Sequence, residues 1–158
     1  MSLHDYADFV YRACHVHGDD DSVAHWQSLQ AQQQRLVEWL RGRDKVRVRG
    51  ANIDLTLSIK GRTFINACGR RNMPDGEIFT GPVEDSLGGH VRFDFPVTVG
   101  GREIERIELR FEEGKVVQAS AAKNEPYLQH MLDSDAGARY VGEWAIGTNY
   151  GIDRHTKQ

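Results

Sequence analysis

From Leu3 to Leu40 apolar residues return every three or four positions, whereas from Lys45 onward they return every second one. Leu3, Tyr6, Val10, Ala13 and Cys14 share one face and Ser2 stands where a cap belongs, so residues 3–15 are expected to form a short amphipathic helix. After a polar break, Val23, Trp26, Leu29, Gln33, Leu36, Val37 and Leu40 trace a second stripe. It predicts a helix over residues 22–41, which Gly42 is placed to end. Asp19-Asp20-Asp21 suit the approach to its positive end, and Phe9, Trp26 and Trp39 are expected as core anchors. The two helices form a helical hairpin.

The remainder is expected to be mainly β. Val46 and Val48, then Ile53, Leu55, Leu57 and Ile59, alternate with polar residues, so each strand has one dry face. Val91, Phe93, Phe95, Val97 and Val99 predict a further strand, joined through Gly100-Gly101 to a run ending Ile107, Leu109 and Phe111. Ile104 breaks the parity of that run, which suggests a bulge there. Glu112-Glu113-Gly114-Lys115 is a turn into Val116–Ser120. Asn124 is placed to cap a short helix whose apolar side holds Tyr127, Leu128, Met131 and Leu132. Tyr140 to Ile146 is expected as the last strand, with a loosely held tail from Asn149. Helices first and antiparallel strands afterwards predict an α+β fold, an N-terminal helical hairpin followed by a mostly antiparallel, strongly bent sheet with one further short helix.

A length of 158 residues suits a single domain over residues 1–158, helical over 1–44 and mainly β over 45–158. With 20 basic against 23 acidic residues, nothing drives the chain as a whole toward nucleic acid or an anionic membrane. The cluster Arg41, Arg43, Lys45, Arg47 and Arg49 is expected to be a solvated strand face, so no nucleic-acid partner is expected. No apolar stretch approaches a membrane span and the opening residues lack a secretory pattern, which leads to the expectation of a cytoplasmic protein with no membrane association. Cys14 and Cys68 are expected as free thiols. Cys14-His15-Val16-His17 contains ligand types, but adjacent side chains diverge on a regular backbone, so no metal is expected there.

The densest local constraint lies at Asn72-Met73-Pro74-Asp75-Gly76-Glu77-Ile78-Phe79-Thr80-Gly81-Pro82. Pro74 fixes its own φ, Asp75-Gly76 is a turn dipeptide, and Glu77 leads into a β-prone run that Pro82 closes. By local chemistry alone this is either a surface turn with an exposed Glu or a frame that holds a carboxylate. Gly142-Glu143-Trp144-Ala145-Ile146-Gly147-Thr148-Asn149 is a second such run, in which Glu143 suits either a pair with Arg139 or Arg154 or a ligand role. Both runs resemble the two glutamate signatures of the thermophilic aminopeptidase family of metallopeptidases, the aminopeptidase T and aminopeptidase S type, in the same order and at a similar separation. Asp54-Leu55-Thr56-Leu57, Phe64-Ile65-Asn66 and Gly137-Ala138-Arg139-Tyr140 extend the similarity over nearly the whole chain.

The resemblance implies hydrolysis of N-terminal residues from peptide substrates at a two-metal centre, with Glu77 and Glu143 as metal ligands. The ions would be zinc, cobalt, manganese or magnesium, which carboxylate oxygens distinguish poorly. Gly76 and Gly142 are expected to leave room beside each Glu. The family carries an α/β domain ahead of this region and further ligands, two His, a Tyr and an Asp, beyond it. The chain is therefore expected to be an internal portion, inactive by itself and binding little or no metal alone. The family's enzymes are dimers, so a homodimer is the expected assembly and a non-catalytic binding or dimerisation module is the alternative.

Overall fold

The structure, a computed structural model, describes residues 2–18 and 21–155. Asp19 and Asp20 of the acidic triplet lie outside the described residues. Among the described residues three helices are formed, α1 (Leu3–Ala13), α2 (Ser22–Leu40) and α3 (Glu125–Leu132). Six strands precede the central hairpin's second arm, β1 (Lys45–Gly50), β2 (Ile53–Ser58), β3 (Ile65–Ala67), β4 (Glu77–Thr80), β5 (Gly88–Arg92) and β6 (Val97–Val99). Four follow, β7 (Arg102–Ile104), β8 (Glu108–Glu112), β9 (Lys115–Ser120) and β10 (Trp144–Gly147). The fold is α+β and its strand pairs are all antiparallel. The strands fall into sheets of five, three and two rather than one bent sheet, and the chain divides into two compact units.

The first unit comprises Met1–Gly42, Thr63–Thr80 and Trp144–Arg154. Helix α1 begins with a capping box in which the Ser2 hydroxyl accepts from Asp5 N and the Asp5 carboxylate accepts from Ser2 N. Helix α2 begins at Asp21, whose carboxylate accepts from Ala24 N at 3.0 Å, so this member of the acidic triplet is the cap itself. The indole of Trp26 donates to Cys14 O at 2.9 Å and ties α2 to the end of α1. Helix α2 then lies on the sheet ordered β10-β4-β3. Phe9, Trp26, Leu29, Leu40, Phe64 and Ile78 are buried, and so is the amide of Gln33. Trp39 is 61% exposed, contrary to its expected anchoring role, because it sits off the stripe defined by Leu29, Gln33, Val37 and Leu40.

The second unit comprises Arg43–Arg62, Gly81–Glu143 and His155–Gln158. Its main sheet runs β1-β2-β5-β8-β9, with α3 packed on β9, and Ile104, Ile107 and Leu128 form a buried cluster there. The expected strand from Val91 to Val99 is broken after Arg92. Pro96 has no N–H to give a ladder, Phe93 and Phe95 are exposed, and β6 pairs only with β7 through the Gly100-Gly101 turn. The register shift lies opposite Arg110 and Phe111, where Val117 of β9 is the extra residue, and not at Ile104. Parity is lost after Ile104 because β7 ends there and Arg106, at φ 51°, interrupts the extended backbone before β8. Asn124 stands at the start of α3 but its amide donates to Glu103 O at 2.6 Å instead of capping the helix. The last strand starts at Trp144, not Tyr140, which makes only an isolated bridge to Lys115.

Candidate functional site

Glu77 is the first residue of β4, where the register sets it opposite Ala67 on β3 and Gly147 on β10. The turn before it is closed by Asp75, whose carboxylate accepts from Gly69 N at 2.6 Å and from Gly76 N at 2.9 Å. Both oxygens of Asp75 are thereby engaged in shaping the turn. Gly76 follows at φ 111°, a conformation that side chains rarely adopt, and a Cβ there would stand 2.7 Å from Asn149 Cβ. The space beside Glu77 that was expected to admit a ligand is taken at Gly76 by Asn149. At Gly142 the space is open, with nothing within 4 Å of where a Cβ would stand.

Asn149 does more than fill space. Its amide nitrogen donates to Asp75 O at 2.8 Å and to Ala13 O at 2.9 Å, while its carbonyl oxygen accepts from Gly151 N at 2.9 Å. Thr148 adds a backbone N–H at 2.8 Å and its hydroxyl at 3.0 Å, both donating to Gly76 O. The tail expected to be loose is therefore tethered through Gly151, and the two glutamate-bearing runs are hydrogen-bonded to each other. From the helical side, Gln33 donates from Nε2 to Ala67 O at 2.9 Å and to Glu77 O at 2.6 Å. These two carbonyls belong to one rung of the β3/β4 ladder.

Glu77 is half-buried on the wall of a cavity of about 470 Å³, shared with Asn72, Asp75, Gly147, Asn149 and Ile152. Glu143 is exposed, in the second unit, one residue before β10. It makes no hydrogen bond or ion pair among the described residues. The arginines it could have joined are engaged elsewhere, Arg139 with Asp133 at 2.7 Å and Arg154 with Asp153 at 3.4 Å. Beside β4, the rung at Glu77 is filled by Gly147, and Glu143 precedes the rung at which Trp144 faces Thr80. A half-buried carboxylate on a cavity wall fits a divalent cation in kind. In number the donors fall short, since among the described residues no group of three or more His, Cys, Asp or Glu gathers to hold a metal ion.

Other features resolve into structural roles. Cys14 and Cys68 are free and line an apolar cavity of about 620 Å³ with Trp26 and Met73, and burial pushes the Cys14 thiol above its usual range. His15 and His25 stack with ring centroids 3.5 Å apart. In the basic cluster, Arg47 makes a two-pronged pair with Asp54 at 2.9 and 2.8 Å, which holds that carboxyl below its usual range. Periodicity did not single out Gln33 or Asn149 as functional residues. The available signal was a polar amide at a core position of the α2 stripe and an Asn two residues before Gly151.

Sequence comparison finds aminopeptidase T of Thermus thermophilus 32% identical over 138 residues, covering 80% of this chain and 34% of that protein. Aminopeptidase AmpS of Bacillus subtilis is 30% identical over 148 residues, covering 87% of this chain and 36% of the relative. The chain thus spans about a third of the length of these relatives. The structure of wild-type AmpT from Thermus thermophilus superposes with a TM-score of 0.76 at 30% identity, over 89% of this chain and 36% of that one. A 2,5-dihydroxypyridine dioxygenase from Pseudomonas putida KT2440 gives a TM-score of 0.61 at 14% identity, a likeness of fold alone. The profile of the thermophilic metalloproteases, family M29, matches residues 1–157, and the chain belongs to that family.

Proposed function

We propose that this chain is part of a metal-dependent aminopeptidase that removes N-terminal residues from peptides, with Glu77 and Glu143 as ligands of a two-metal centre. The observation that carries this reading is the stitching of the Glu77 turn to the run that bears Glu143, through Thr148 and Asn149. Two divalent ions roughly 3.5–4 Å apart would supply a polarised peptide carbonyl and an activated water. The chain's own contribution at Glu77 is to present its carboxylate from a turn and a strand rung held by hydrogen bonds. Asp75 closes the turn, Gly76 lets Asn149 approach, and Gln33 holds the rung from the opposite side. The negative charge of Glu77 and Glu143 would offset part of the charge of zinc, cobalt, manganese or magnesium.

The shortfall in donors favours an inactive isolated chain that binds metal weakly, with a non-catalytic binding or dimerisation module as the second reading. Peptides are the proposed substrates, a homodimer the proposed assembly and the cytoplasm the proposed location. No helix among the described residues is long and apolar enough to cross a membrane.

The test is Glu77→Gln and Glu143→Gln in the full-length, metal-loaded protein, with bound metal measured by mass spectrometry and turnover on a peptide. Each is expected to lower turnover by more than about a hundredfold, beyond the loss that follows removal of a partner outside the ligand set. Normal turnover and metal content in Glu77→Gln would sink the assignment.

A further inference from the structure

Gln33 is a costly residue to place in a core. Its side chain is 0% exposed, one of two buried polar residues among those described, and its Oε1 has no protein partner there. An apolar side chain of similar shape would avoid that uncompensated acceptor. The amide nitrogen, by contrast, spends both of its N–H groups, one on Ala67 O and one on Glu77 O. Those are partner residues on adjacent strands. The amide therefore clamps β3 to β4 at the rung that carries the half-buried carboxylate, and it does so from α2, the longest helix and the one packed on that sheet.

We infer that Gln33 is a positioning residue for Glu77, holding the peptide from which that carboxylate projects so that it meets a cation with little reorganisation. The inference rests on the proposed ligand role of Glu77. It concerns a residue that touches neither metal nor substrate and acts through the Glu77 carbonyl. Hydrogen bonds made behind a metal ligand fix its orientation, and their loss typically weakens metal binding or activity by about 10- to 100-fold. A carbonyl held by an N–H 2.6 Å away restricts the rotation of the peptide at the base of the ligand.

The experiment compares Co²⁺ binding, by calorimetry and visible absorption, in full-length wild type, Gln33→Leu, Gln33→Glu and Leu29→Ala, together with the Tm of each metal-free protein. Leu29 is buried on the same helix and serves as the control for general destabilisation. Gln33→Leu is expected to bind Co²⁺ about tenfold more weakly and with an altered spectrum. Leu29→Ala should lose Tm while keeping wild-type affinity and spectrum. Gln33→Glu replaces the N–H pair by carboxylate oxygens facing two carbonyls, and should weaken Co²⁺ at least as much as Gln33→Leu. It also serves in place of Gln33→Leu if that variant does not fold. Should the Gln33 variants bind Co²⁺ as wild type does, or lose affinity only in proportion to Tm as Leu29→Ala does, the positioning role is wrong while the metal reading stands. Wild-type protein that binds no Co²⁺ overturns both.

Discussion

Gly76 shows how much a single missing side chain carries. Its φ of 111° and its approach to Asn149 are two separate demands, and no other residue type meets both. Gly76→Ala must either relax the turn or push Asn149 away from Asp75 O and Ala13 O. A loss of about 2 kcal/mol or more is expected, measurable by urea unfolding. The same variant should bind metal less well, because the displaced turn carries Glu77. That Gly76 belongs to a turn was legible in Asp75-Gly76, since turn dipeptides are local chemistry. Which neighbour occupies the vacated space was not legible, because Asn149 is remote in sequence and enters only when β10 pairs with β4.

At the scale of the element, the places of the helices followed from the sequence. Ser2 caps α1 as expected and the Glu113-Gly114 turn joins β8 to β9 as expected, but Gly100-Gly101 joins only the short β6 and β7, Asp21 is a cap where a charged first turn was expected, and Asn124 does not cap α3. Strand limits were less legible, since alternation continued past Arg92 although Pro96 and the exposed Phe93 and Phe95 interrupt the ladder. One element-level consequence concerns pH. Arg47 on β1 bonds Asp54 on β2 across the pair, and that hydrogen bond first, then the attraction of the arginine, holds the Asp54 carboxyl below its usual 3.8. The lowered value means that the contribution to stability is whole above pH 3.8 and is lost as pH falls through the folded-state value. Asp54→Asn should therefore flatten the acid limb of stability below about pH 4, weakly because both side chains are exposed, and more weakly still in high salt. Thermal melts from pH 2 to pH 5 at two ionic strengths check it.

For the whole molecule, the sequence pattern changes from helical to β at residue 45, whereas the two compact units do not follow that change. Strands β3, β4 and β10 join the helices, and the intervening chain builds the five-stranded sheet with α3. Each unit thus mixes segments that are far apart in sequence, an arrangement that periodicity, a property of neighbours, does not report. Chemistry at this scale includes the two cysteines, both free as their small number and the size of the chain suggested. Thiol titration of unfolded protein without reductant is expected to give two groups per chain, and Tm should be unchanged by reductant. A single or absent thiol in that titration would show that the pair had been oxidised.

The amino-acid sequence alone determined the α+β class, the places of the three helices, the Ser2 cap, the Glu113-Gly114 turn and the family resemblance borne by the two glutamate runs, because each depends on residues close together along the chain. The tertiary structure decided what surrounds Glu77. Gln33, Ala67, Gly147 and Asn149 reach it from three separate segments, and the hydrogen bonds that hold its peptide exist only once α2, β3, β4 and β10 have packed. A carboxylate's identity is written locally, but its preorganisation is a property of the contacts that burial brings together.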